Sequence, residues 1–204
     1  MSNATNDFLP VARQVIEDEG RAVLALTSVL DEKFNQLCQL IFDTRGRVVF
    51  IGMGKSFIVG EKAAASLASL GTPSFSVHAA DAVHGDMGML TRDDIAIFIS
   101  HSGESQEIVY LLPYIKKIGA YSVALVGNPN STLAKTCDMF LDTGVRQEAG
   151  PIKYAPSAST LVTQALCDGI AMALAVARGF SAEDFHQFHP GGHIGVTLTA
   201  KNKK

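Results

Sequence analysis

The sequence predicts an α/β protein, a three-layer αβα sandwich with a central five-stranded parallel sheet. Three observations predict it. Five short runs of aliphatic and β-branched residues are apolar almost without interruption, as strands are when helices cover both faces of a sheet. The segments between them carry helical spacing or alanine-rich composition, which gives the alternation of a parallel-sheet fold. The chain has 204 residues, enough for one domain with a full core and few for two.

The elements follow in order. From Asp7 to Phe42 apolar residues recur every three or four positions, a helical period interrupted near Gly20 and Asp31. After the turn "TRGR", "VVFIG" (Val48 to Gly52) reads as the first strand. "KSFIVGEKAAASLASLG" is a helix closed by Gly71 as C-cap. "PSFSVH" and "DIAIFIS" (Asp94 to Ser100) are the second and third strands, "SQEIVYLLPYIKKIG" a helix, and "YSVALVG" (Tyr121 to Gly127) the fourth strand. A short helix near Ser131 to Lys135 leads to the fifth strand, "MFLDTG", and the almost wholly apolar stretch from Ser159 to Gly179 is a buried helix. The expected organisation is one domain over 1–204: N-terminal helices over about 7–43, a sheet core over about 47–179 and a C-terminal segment over about 180–204.

Composition narrows the function. A net charge of −3 with 18% charged residues offers no basic footprint for nucleic acid or anionic lipid. No run is expected to reach the roughly 20 apolar residues of a membrane span, and the N-terminus lacks a signal-peptide pattern; a cytoplasmic protein is expected. Cys38, Cys137 and Cys167 are odd in number and widely spaced, and read as reduced core thiols.

In such sheets, ligands bind outside the carboxyl ends of the strands. Two glycine-bearing loops fall there. Gly52, Met53, Gly54, Lys55 and Ser56 follow the first strand and open a helix, whose free amides and dipole suit a phosphate; the loop matches neither a dinucleotide fingerprint nor a P-loop. "SHSGES" repeats the arrangement after the third strand with Ser100, Ser102 and Ser105. One serine suffices to cap a helix; a surplus of hydroxyls beside free amides suits a phosphoryl group. Neither loop has a Lys-Ser/Thr pair in the spacing of a Walker motif, which favours a phosphorylated small molecule over a nucleoside triphosphate.

"GMGKS", "SHSGES" and "APSAST" resemble the SIS (sugar isomerase) domain. "HAADAVHGDMGM", "EAGP" and "GFSAEDFHQFHPGG" resemble its arabinose-5-phosphate isomerase branch, whose members commonly carry two further regulatory CBS domains that this chain is expected to lack. The resemblance implies an aldose–ketose isomerase acting on arabinose 5-phosphate and ribulose 5-phosphate without cofactor or metal. Another sugar phosphate, such as a ketohexose phosphate, or a phosphosugar-sensing module without turnover, are the alternatives. It also implies a dimer or tetramer with sites shared between subunits.

Carried onto this chain, the resemblance makes Ser56, Ser100, Ser102 and Ser105 phosphate ligands, with Ser157, Ser159 and Thr160 either joining them or capping the long helix. The chemical residues implied are Lys55, His84, Glu107, Glu148 and His189. Glu148 is the expected general base and is otherwise a surface glutamate. The histidines are expected to open the furanose ring, being the side chains that titrate nearest neutrality. Lys55 and Glu107 would bind or stabilise charge, or form an ion pair with each other. His186, His189 and His193 have spacing that invites zinc, but the Pro-Gly-Gly before His193 breaks any helix that would align them. Glu104 is expected to be a solvated acid at the start of the helix that follows it. The chain departs from the family pattern at His101, where asparagine is usual, and at His193, where a small residue is common.

Overall fold

The computed structural model describes residues 6–189. All five predicted strands form: β1 (Val48–Gly52), β2 (Ser74–His78), β3 (Ile95–Ile99), β4 (Tyr121–Val126) and β5 (Met139–Asp142). They pair in parallel in the order β2-β1-β3-β4-β5. Strand residues alternate between two cores. Val48, Phe50, Ile95, Ile97, Ile99, Val123 and Leu125 face one layer; Val49, Ile51, Ala96, Phe98, Ala124 and Val126 face the other. Both faces are covered, so neither set needs to be polar, and the strands read as continuous apolar runs.

Helices α1 (Leu9–Val29), α2 (Glu32–Asp43), α3 (Lys55–Ser69) and α7 (Ala158–Ala177) line the first core, and α4 (Ala79–Val83), α5 (Gln106–Ile118) and α6 (Thr132–Thr136) the second. The chain closes with α8 (Ala182–Phe188). The expected break at Asp31 is present, with its side chain accepting from the Lys33 amide at 2.9 Å. The expected break at Gly20 is not. Helix α1 runs through it, because one glycine costs a helix about 1 kcal/mol, less than α1 gains by packing on α7. Helix α4, the 3-10 turn Asp86–Met89 and α8 form where the sequence pattern predicts no regular element. The first two are too short for a period to register, whereas α8 carries a capping box, Ser181 and Asp184, that marks its start.

Contrary to the composition reading, α7 does have the length and apolar content of a membrane span. One face of it packs: Val162, Leu166, Ile170 and Leu174 are at most 2% exposed, against α1, α2 and α3, while Leu161, Met172 and Val176 on the other face are exposed. Cys167 is fully buried and its thiol pushed up to about 12 by that burial.

At the amino end of the sheet, Asp94 locks β1 to β3. It is 1% exposed and accepts from the Arg47 amide at 2.7 Å, from Arg47 Nη2 at 2.9 Å and from the Thr91 amide at 2.8 Å. Burial raises its carboxyl, but the bonds from Arg47 and Thr91 outweigh that and hold it below the ordinary aspartate value. Removing this partner with Asp94→Ala is expected to cost about 2–3 kcal/mol in urea denaturation at pH 7, less than a fully buried pair because Arg47 is 41% exposed. Since the folded carboxyl titrates low, its contribution is present above the unfolded-state range and is lost on acidification, so the difference between wild type and variant narrows as the pH falls.

Candidate active site

The strand order reverses between β1 and β3: β2 lies on one side of β1, and the chain then crosses to add β3 on the other. Gly52 and Ile99 are register partners, so the loops that follow them open side by side at this switch point. A cavity of about 420 Å³ lies there. Of the sequence-predicted residues, Lys55, Ser56, Ser100, Ser102, Ser105, Glu148, Ser159 and Thr160 line it.

Helix N-termini supply the polar frame. Helix α3 starts at Lys55 behind Gly54 (φ +53), and α5 starts at Gln106 behind Ser105. Neither receives a side-chain cap; the Ser56 and Phe57 amides of α3 already donate to the Met53 carbonyl at 3.1 and 3.4 Å and the Ile108 amide of α5 to the Ser105 carbonyl at 3.1 Å, so what the two helices offer an anion is their positive dipole ends with the Lys55, Gln106 and Glu107 amides. The serine loop is held tightly beneath them. The Ser100 hydroxyl, 2% exposed, lies 3.0 Å from Ser105 Oγ and accepts from the Gly103 amide at 3.1 Å. Gly103 has φ +68, and a Cβ there would fall 2.1 Å from Ser131 Oγ, so this turn admits only glycine. Glu104 departs from its expected place: it accepts from the Thr132 amide at 2.8 Å and serves the N-terminus of α6, not α5.

Helix α7 is different, because its N-terminus is already occupied by Glu148. The Ser157 and Ser159 amides each donate to Oε2 at 3.0 Å, Ser157 Oγ donates to it at 3.2 Å, and the Ser159 hydroxyl donates to Oε1. Thr160 Oγ1 donates to the Ser157 carbonyl at 2.8 Å. Glu148 is therefore not a surface glutamate; it is 8% exposed. Burial raises its carboxyl, while the Ser159 hydroxyl, the Ser159 and Ser157 amides and the nearby His101 imidazole lower it, leaving it below the ordinary glutamate value. It is ionised at neutral pH, as a base must be.

His84, Glu107 and His189 do not line the cavity. His84 is exposed at the end of α4, and Glu107 is exposed in the first turn of α5. No ion pair joins Glu107 to Lys55 among the described residues. His189 ends α8, where its ring stacks on Phe185 at 3.9 Å and its Nδ1 lies 2.8 Å from the Phe185 carbonyl. His193, Gly191 and Gly192 lie outside the described residues, as do the first five and last fifteen positions. No group of three metal-ligating side chains occurs among the described residues.

The cavity also contains residues that sequence reasoning does not single out. Arg146 and Lys153 line it. Arg146 pairs with Asp142 at 2.5 and 2.8 Å and donates to the Gly127 carbonyl at 2.7 Å, and Lys153 donates to the Glu148 carbonyl at 3.1 Å. Both lie within five residues of Glu148, in the same loop, so proximity to a candidate base is the available signal. His101 stands in the wall with its Nδ1 buried and, among the described residues, without a hydrogen-bond partner.

Three comparisons bear on this site. Residues 40–173 match the SIS domain family model. The chain is 50% identical over 195 residues, 96% of its length, to the protein named arabinose 5-phosphate isomerase KdsD of Pseudomonas aeruginosa, and spans 60% of that protein. It is 43% identical over 192 residues, 94% of its length, to the KdsD protein of Escherichia coli K12, of which it spans 58%. The chain thus spans about 60% of the length of these curated relatives. A solved structure of the c3406 protein of E. coli CFT073, in complex with arabinose 5-phosphate, superposes with a TM-score of 0.87 at 39% identity, covering 93% of this chain and all of that one.

Replacing Ser159 with Ala removes the hydroxyl that opposes burial most strongly at Glu148. The Glu148 carboxyl is expected to titrate at higher pH in this variant, observable by carbon-13 NMR of labelled glutamate.

Proposed function

The chain belongs to the SIS domain family, and on that premise we propose that it is a phosphosugar aldose–ketose isomerase, interconverting D-arabinose 5-phosphate and D-ribulose 5-phosphate through an enediol. The observation that carries the reading is the buried, ionised Glu148 facing the same cavity as the serine loop and the uncapped N-termini of α3 and α5. The names of the curated relatives and the sugar phosphate bound in the E. coli CFT073 structure support the same substrate.

In this mechanism Ser100, Ser102 and Ser105, with the α5 amides and Ser56, hold the phosphate. Ser157 and Ser159 hold the base, and Thr160 completes the wall. Glu148 takes the C2 proton of the open-chain aldose, the C–H pair becomes the C1–C2 double bond, the carbonyl pair moves onto O1, and the O2 hydroxyl proton passes to O1 through solvent, which gives the enediol and its O2 anion. The same carboxyl returns the proton to C1 as the ketone forms at C2. Lys55 stabilises the oxygen that gains charge. The proton on Glu148 exchanges with solvent while the enediol lasts, and the sugar undergoes no net oxidation or reduction, so the step balances without cofactor or metal.

Arabinose 5-phosphate cyclises as a furanose because its O5 is esterified, and opening the ring requires an acid and a base. His84 and His189 suit that step, yet neither lines the cavity of one chain. We assign them, with Glu107, to sites completed by another copy in a homodimer or homotetramer. The exposed apolar residues of α1 and α7, among them Ile16 at 68%, Leu24 at 72% and Val176 at 79%, support such an assembly. Free cysteines and modest net charge fit a cytoplasmic enzyme without nucleic-acid or membrane partners.

The test is proton exchange. Incubated in deuterated water, the protein is expected to place deuterium at C2 of arabinose 5-phosphate and to form ribulose 5-phosphate; no exchange with either sugar sinks the proposal. Glu148→Gln is expected to lower turnover at least ~100-fold while phosphosugar binding, measured by calorimetry, stays within a few fold. A sensing module would bind without turnover before and after the change, and a panel of phosphosugars assayed side by side ranks the substrate.

A further inference from the structure

Glu148 is fixed from three directions, and one of them comes from outside the residues that match the family model, 40–173. Its side chain is held by the start of α7, and its carbonyl accepts from Lys153. The third contact lies two residues on: the Gly150 amide donates to Asp18 Oδ2 at 3.0 Å, across 132 positions of sequence. Resting on the reading of Glu148 as general base, we infer that Asp18 is a positioning residue, which holds the Gly150 amide and so the turn that presents the carboxylate to the cavity.

The geometry is that of a fitted contact. Gly150 is buried with φ +71, and a Cβ there would fall 2.6 Å from Val15 Cγ2. Val15 and Asp18 are one turn apart on α1 and share a face, so the helix meets the turn with an apolar contact and a hydrogen bond together. Asp18 is itself steadied by Arg21 at 2.5 Å. Behind Glu148 lies a second, smaller cavity of about 190 Å³, bounded by Asp18, Arg21, Glu148 and Lys153 among others. The turn thus has the Val15 contact on one side and a hollow on another, and its hydrogen bonds share in the positioning. A buried amide left without an acceptor is costly, so loss of Asp18 moves the turn until the amide reaches another partner or solvent, taking Glu148 with it. Proton transfer is sensitive to such displacement, since a shift of about 1 Å suffices for large losses in rate.

The variants are Asp18→Ala, which has no acceptor, and Asp18→Asn, whose amide oxygen keeps one without the charge. In the full chain, Asp18→Ala is expected to lower kcat by about 10-fold or more with KM within about 2-fold, and to speed deuterium exchange at the Gly150 amide by a comparable factor. Asp18→Asn is expected to stay within about 3-fold of wild type in both readouts. Asp18→Leu, similar in size and equally without an acceptor, repeats the test if the alanine variant does not fold. An alanine variant with wild-type kcat and wild-type exchange overturns the inference, as does a loss of kcat that the asparagine variant shares in full. If Glu148→Gln keeps wild-type turnover, the base assignment fails instead, and the Gly150 exchange then decides by itself whether Asp18 holds the turn.

Discussion

The N-terminal amides of α7 impose the constraint on which the site depends. The helix is buried between α1, α2, α3 and the sheet, so its first turn has to find acceptors within the protein. The acceptor is the Glu148 carboxylate, which takes two amides and two hydroxyls. One interaction thus ends a core helix, anchors the long loop after β5 and keeps a carboxylate ionised in a largely enclosed place. Burial pushes against that ionisation, and only the full set of donors overcomes it. Such an anion repels a phosphate at the same helix end, so on the proposed reading the work divides: α7 holds the base, and α3 and α5 are left for the anion.

Topology brings the two halves together. Reversal of strand order at β1 opens the loops after β1 and β3 into one crevice. The loop after β5 reaches it from farther out, and its path is guided by Arg146, which joins Asp142 at the end of β5 to the Gly127 carbonyl at the end of β4. The Asp94–Arg47 lock sets the register of β1 and β3 at the opposite end. The register that aligns Gly52 with Ile99 is thereby fixed at the far end of the strands from the chemistry.

Much of this is legible in the chain. The five strands and the large helices follow from apolar runs, and the serine loop announces itself by a density of hydroxyls that capping does not require. Helix α4 and the 3-10 turn Asp86–Met89 escape, because a helical period needs more than one turn to register. Gly20 misleads because local propensity is a weak term that packing overrides. Within the site, Ser157 and Ser159 are ambiguous in sequence between phosphate binding and capping, and their observed bonds go to Glu148. Arg146 and Lys153 give no signal of their own because a cation in a loop is ordinarily a solvated one. The separation of His84, Glu107 and His189 from the cavity is illegible: a motif reports which residue types occur and says nothing of where the folded chain places them.

The close approach of His101 to Gly127 has a further consequence. A Cβ at position 127 would lie 2.2 Å from Nδ1 of the His101 ring, so the two positions cannot both carry bulk. Position 101 can shrink while 127 stays glycine, but 127 can grow only after the ring is gone. Sequence change at this corner of the cavity therefore has a direction: an order of steps in which the wall must first be emptied from the serine loop before it can be rebuilt from the end of β4.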